Sequence, residues 1–406
     1  MEAAVTRMPS DVQVSRSSLF NTLPLVLIIL SLGLLVFWGL QYTQNPSRAM
    51  FGYLYGFIVT LSLGLGSLVF VLIQHLTRAG WSVAIRRIPE AVIALMPLFI
   101  IFFVPIALST HDIYPWTHAD HIDEMLAKKL PYLNLNFFLM RSFAYLLIWA
   151  VMGIWFYRLS VSQDHGGRFE LTRVMQAVSA PGVIIFGLSL TFASFDWIMS
   201  LQPHWYSTIF GVCFFAGCLL FALAFMTLIA MCLQAGGLLL DVITPEHYHD
   251  LGKLMFGFTI FWAYVNFSQF LLYWYGNIPE EIEFYVHRMH NGWEYLSWAM
   301  PIIHFFIPFL ALMSRFLKRI KIILALNALW LIGAHLVNLY WLIIPAYVDP
   351  AIHDGPAPLH VALVDFLGLF GIFGFFFGAF LFVLSRRKVL AIGDPRLRES
   401  LAFENF

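Results

Sequence analysis

Charge is what this sequence has least of. Asp, Glu, Lys and Arg make up 11% of 406 residues, hydrophobic residues make up 60%, and the mean hydropathy is +0.80. So little polar surface excludes a soluble domain of ordinary size and places the chain among all-α polytopic membrane proteins. Cysteine is scarce as well. Cys213, Cys218 and Cys232 share one apolar run, where a free thiol behaves as a small buried hydrophobe. They offer neither an iron-sulfur pattern nor a disulfide framework.

Histidine is thin within the apolar runs. Only His75, His304 and His335 fall there, at three different depths, which gives no facing pair of axial ligands for a b-type heme. His111, His118 and His121 share a loop with Asp112, Asp120, Asp123 and Glu124, but no HxxxH element with a third ligand accompanies them. The chain is therefore read as binding no cofactor and no metal of its own.

What is present is a series of apolar stretches of spanning length. Ten lie near 19–40, 50–76, 91–110, 134–158, 178–200, 206–233, 254–276, 297–314, 322–344 and 362–385. The first is longer than a signal-peptide core and lacks a small-residue cleavage site, so it is expected to stay as span one. Residues 1–18 and 386–406 are then polar terminal segments around a single transmembrane domain. With the N terminus in the cytoplasm, 18 of the 23 Lys and Arg residues fall on the inner side and four on the outer, with Arg141 inside span four. This bias predicts that both termini are cytoplasmic.

Three outer loops, 111–133, 277–295 and 348–360, are rich in aromatics, acids, histidine or proline. Two readings stand for them: a platform for an extracytoplasmic partner, or a cap of interfacial aromatics. Gly52 and Gly56 form a GxxxG face for close helix approach, and Pro97, Pro105, Pro181, Pro301 and Pro308 are expected to kink their spans.

The costly residue is Asp196, a carboxylate inside the fifth apolar run. Arg141 in span four is expected at a similar outer depth, and a pair between them offsets the desolvation cost of both. Whether the pair is structural or part of a proton route stays open. His304, His335 and Asp365 extend the candidate relay from the outside, with interhelical hydrogen bonding as the alternative for the histidines. Asn266 with Gln269, and His335 with Asn338, share helix faces at a spacing of three. On the inner side Gln74, His75, Glu90, Gln234 and Asp241 lie near the boundary and are expected to be solvated, with His75 the candidate for an inner relay entry.

Residues 179–211, SAPGVIIFGLSLTFASFDWIMSLQPHWYSTIFG, resemble the hallmark region of the polysulfide reductase NrfD-like membrane subunits, specifically those of bacterial alternative complex III. The likeness is most specific in FDWIMSLQPHWYS; the ten-span length, the HDIYPW segment at His111 and the aromatic outer loops resemble the same group. It implies two four-helix bundles, about 50–200 and 206–344, flanked by spans one and ten. It also implies a bacterial inner-membrane complex in which electrons pass from quinol through periplasmic iron-sulfur and heme c subunits to a cytochrome c, another carrier or a terminal oxidase. This chain is similar to the shorter of two such membrane subunits, a partner of the larger quinol-oxidising one, with a role in proton translocation and no redox centre of its own. Lipids are its expected surroundings, and nucleic acid is not an expected partner.

Asp196 matches the acidic position of the family signature, and Arg141 occupies the matching region of the preceding helix. Span four carries FFLMRSFAYLLIW, without the histidine that quinol-oxidising relatives place near the outer surface. His111 with Asp112 is left as the candidate quinol-proximal pair. Three functions follow as expectations: a noncatalytic core subunit of a quinol-oxidising respiratory complex, a quinol-binding catalytic subunit, or a secondary transporter.

Overall fold

The computed structural model describes residues 19–118, 123–166, 169–348 and 357–405. The expected N-terminal segment 1–18 and His121 lie outside them. Among the described residues, nine helices are long and apolar enough to cross a membrane, and a bent pair, taken as one span, makes ten. These are span one (Thr22–Tyr42), span two (Pro46–Leu76), span four (Leu135–Gln163), span five (Phe169–Leu201) and span six (Phe210–Ala235). Span seven (Pro245–Gly276), span eight (Trp293–Met313), span nine (Lys321–Ala346) and span ten (Leu363–Ser385) follow. Span three is the bent pair Arg87–Ile93 and Leu98–Leu108, which turns through 41°. The chain is an all-α, multi-pass membrane protein.

Local sequence explains where these helices start and break. Asn45 caps span two by accepting from the Arg48 amide, and Pro46 occupies its first turn, where a missing N–H costs nothing. Pro97 stands at the break in span three. Pro301 opens a π-helical turn, Pro301–Phe306, inside span eight. Span three begins at Arg87, earlier than the apolar run, because Arg87 and Glu90 neutralise each other inside the helix.

Span two is the axis of the molecule. It is apolar all round, and 94% of its most hydrophobic window is buried. Spans one, three, five, six, nine and ten all pack against it. Spans two to five pack on one another, as do spans six to nine, while spans one and ten pair alongside span two. The GxxxG face works as expected: a Cβ on Gly56 would lie 2.5 Å from the Gly368 carbonyl oxygen, so only glycine permits this crossing with span ten.

Span one runs antiparallel to span ten, with Pro24 and Ile28 against Gly378 and Leu35 against Gly371. The start of span one and the end of span ten therefore share one end of the molecule, called the tail end here; the other is the loop end. The tail itself folds back. Asp394 pairs with Arg86, Ser400 Oγ donates to the Trp81 carbonyl at 2.6 Å, and Phe403 packs on Trp81.

That cover corrects the expectation of solvated boundary residues. Gln74, His75, Glu90 and Gln234 are buried, and only Asp241 is exposed. The loop after span two and the tail close over the first three, and Gln234 is held by the Leu239 and Ile243 carbonyls, Tyr248 and Lys321, effects of tertiary structure that no local pattern announces.

Candidate functional site

The loop end holds two buried arginine–aspartate pairs. In the first, Arg141 donates from Nε to Asp196 Oδ2 at 2.9 Å and from an η nitrogen to Oδ1 at 2.7 Å. Tyr145 adds a third bond to Oδ2 at 3.0 Å, and the remaining η nitrogen of Arg141 donates to the Tyr132 carbonyl at 3.0 Å. The guanidinium lies 3.8 Å from the Tyr132 ring centroid and 4.1 Å from that of Phe137. Asp196 is wholly buried. Every charged atom of this pair has a partner, which is the condition under which a buried ion pair holds. The expected pairing of Arg141 with Asp196 is what the structure contains.

The second pair joins Arg48 at the start of span two to Asp365 at the start of span ten, at 2.5 Å. Tyr340 donates to Asp365 Oδ2 at 3.0 Å, and the Ala362 amide donates to the same oxygen at 3.1 Å. All these bonds converge on one oxygen. Asp365 Oδ1 and the other η nitrogen of Arg48 are buried with no hydrogen-bond partner among the described residues. Asp365 was legible as a site candidate, but its partner was not: Arg48 reads in sequence as an ordinary loop arginine.

The histidines occupy a different level. His304 is carried by the π turn of span eight and stacks on Trp262 of span seven with centroids 3.7 Å apart, and neither of its ring nitrogens has a partner among the described residues. His335 shares a hydrogen bond of 2.9 Å with Ser62 Oγ and stacks on Phe221. Gly217 makes room for it: a Cβ there would lie 2.9 Å from His335 Cε1. Among the described residues, no hydrogen bond links Asp196, His304, His335, Asp365 and His75 to one another.

His75 belongs to the tail end, beside a buried network. Arg86 Nε donates to Glu90 Oε1 at 2.9 Å, Ser160 Oγ donates to Glu90 Oε2 at 2.6 Å, and Arg87 reaches Asp164 at 2.8 Å. Burial pushes the Asp164 carboxyl up, against the pull of Arg87. Sequence reasoning missed this network because its members, with Asp394 of the tail, are drawn from three separate segments.

His111 is exposed, and Asp112 accepts from Tyr42 at 3.0 Å. The loop aromatics are less of a platform than their number suggests. Tyr114, Trp116 and Trp293 are buried and hold the loops down, leaving Tyr295 exposed. Arg288 is buried too, bonded to the carbonyls of Phe284, Trp341 and Leu342 and to Gln202 Oε1. Burial pushes its pKa down to about 9, which still leaves it cationic at neutral pH.

One feature has no counterpart in the sequence reading. A cavity of about 600 Å³ opens among spans six to nine, walled by aromatic side chains including Trp262, Phe267, Phe270 and Trp341. Asn266, Gln269, Tyr285 and Asn338 put polar groups on its lining. The Trp262 indole N–H is buried with no partner among the described residues. The polar spacing of Asn266 and Gln269 within an aromatic span was the available signal.

No family model matches the chain, and no curated protein matches it.

Proposed function

We propose that this chain is an integral membrane core subunit of a quinol-oxidising respiratory complex of the alternative complex III type, resident in the bacterial cytoplasmic membrane. Both termini lie in the cytoplasm, in keeping with the concentration of basic residues at the tail end. The observation that carries the reading is the FDWIMSLQPHWYS segment, whose aspartate is clamped by Arg141 of the preceding span. The grouping of spans two to five and six to nine, with one and ten alongside span two, supports it.

In this reading the redox centres belong to periplasmic iron-sulfur and heme c subunits, and the larger NrfD-like subunit oxidises quinol. This chain contributes a membrane seat and a station for protons. Of its buried carboxylates at the loop end, Asp365 is the proposed proton station, because its Oδ1 has no hydrogen-bond partner among the described residues while Arg141 engages both oxygens of Asp196.

The test is to purify the affinity-tagged chain from its native membrane. Copurification with heme c absorbance and quinol oxidase activity is expected. A chain that purifies alone, and whose deletion leaves quinol oxidation intact, overturns the proposal.

A second reading, that the chain binds quinol itself, is favoured by the aromatic cavity with its unpartnered indole N–H. Quinone extracted in stoichiometric amount from the isolated chain, and lost on Trp262→Phe, would establish it.

A further inference from the structure

At the tail end, a recess of about 620 Å³ opens between the ends of spans four and ten. Both spans lean on span three, and the recess is floored where that span breaks, at Ala94. Arg158 contributes from span four, and Arg386 and Arg387 from the end of span ten, so three guanidinium groups converge on one opening.

No Asp or Glu lines it. The nearest acids are already committed, Glu90 to Arg86 and Arg87, and Asp164 to Arg87. Arg158, Arg386 and Arg387 take part in none of the ion pairs among the described residues. Tyr157 lies beside Arg387 in the lining, and Ser162 and His165 add polar groups. Below the arginines the walls turn apolar, with Ile154, Phe382 and Val383 facing the recess. Cationic groups at the mouth and an apolar wedge beneath them match the two halves of an anionic phospholipid, and basic pockets between spans are where such headgroups lodge.

We infer that this recess is a binding site for an anionic phospholipid, best matched by a diphosphatidylglycerol, whose two phosphates face three guanidinium groups while an acyl chain follows the wall formed by Ile154 and Phe382. The lipid fills the wedge that the broken span three leaves between spans four and ten. Its two phosphate charges also offset most of the positive charge that Arg158, Arg386 and Arg387 hold within one recess. The site is independent of any respiratory role.

The full chain, purified in mild detergent and depleted of lipid, is titrated with diphosphatidylglycerol, phosphatidylcholine and inorganic phosphate, and bound lipid is counted by native mass spectrometry. Diphosphatidylglycerol is expected to bind at one site and to weaken about fivefold for each guanidinium removed in Arg158→Gln, Arg386→Gln and Arg387→Gln. Arg387→Lys keeps the charge and is expected to retain most of the binding. Arg315→Gln, which removes a charge at the same end outside the recess, is expected to change nothing. Equal binding of phosphatidylcholine would reduce the recess to an apolar wedge and overturn the inference. Full competition by millimolar inorganic phosphate would assign the site to free anions and overturn it as well. Binding that survives all three single substitutions with circular dichroism unchanged would also reject it. Circular dichroism of each variant separates lost binding from lost fold.

Discussion

The two arginine–aspartate pairs at the loop end are built from the same residue types and behave as different devices. Arg141 and Asp196 meet through two bonds, with Tyr145 and the Tyr132 carbonyl taking up the remaining valences and aromatic rings enclosing the guanidinium. Arg48 and Asp365 meet at one oxygen, and the other has no partner among the described residues. A carboxylate engaged at both oxygens is held in one geometry, whereas one engaged at a single oxygen is free to turn. The first pair is a clamp between spans four and five. The second joins spans two and ten and is the one proposed as a proton station.

The sharpest way to break the comparison is to remove one partner of the clamp. Asp196→Asn strands Arg141 in a buried site and is expected to destabilise the protein by about 3–5 kcal/mol, measured by chemical denaturation in detergent. The double replacement Arg141→Met with Asp196→Leu should restore much of that loss, since neither charge is then buried alone. A single Asp196→Asn variant as stable as the parent would mean that the clamp holds nothing.

Next in size are the tyrosines. Tyr145→Phe and Tyr340→Phe each delete one hydrogen bond to a charged oxygen, expected at about 1.5–3 kcal/mol. The comparison predicts different readouts beyond stability. Tyr340→Phe removes a bond from the only oxygen of Asp365 engaged among the described residues and should shift its infrared stretching band more than Tyr145→Phe shifts that of Asp196, whose two oxygens Arg141 still grips.

A glycine substitution tests the same contrast through the backbone. Gly56→Ala forces span two away from span ten at Gly368 and is expected to cost about 1–3 kcal/mol as overpacking. Arg48 and Asp365 sit on these two spans and Arg141 and Asp196 do not, so crosslinking of cysteines placed on spans two and ten should fall while crosslinking between spans four and five is unchanged.

The smallest effect lies in an exposed tether. His204 bonds Asp123 at 2.9 Å, and the Leu126 amide, then His204, hold the Asp123 carboxyl below its ordinary range. A lowered carboxylate favours the folded tether above the unfolded carboxylate's range, and that contribution is lost as pH falls through the folded value. Protection factors of residues 123–127, with the intrinsic pH dependence of exchange divided out, should therefore fall on acidification and stay flat between neutral pH and pH 8.

Much of this was legible in the sequence. Apolar runs marked all ten crossings because hydrocarbon demands a fixed helix length, and Pro97 and Pro301 marked two real breaks. Depth along neighbouring spans was enough to pair Arg141 with Asp196. What escaped was whatever depends on segments distant in sequence. Arg48 and Asp365 are 317 positions apart, and Glu90 is closed in partly by a tail whose Asp394 engages Arg86. The aromatic cavity belongs to the space between helices, which a pattern within one helix does not record. How Asp196, His304, His335 and Asp365 face one another also escaped, because helix depth fixes height in the membrane but not which face each residue presents to its neighbours.

The most direct test of the proposed respiratory role is the proton yield, in liposomes, of the complex that copurifies with the chain, measured per electron during quinol oxidation for Asp365→Asn and Asp196→Asn. The account predicts that Asp365→Asn assembles and oxidises quinol while moving fewer protons, and that Asp196→Asn lowers the amount of complex recovered while leaving the proton yield of what remains unchanged. An unchanged proton yield in Asp365→Asn, with a lost yield in fully assembled Asp196→Asn, would contradict it.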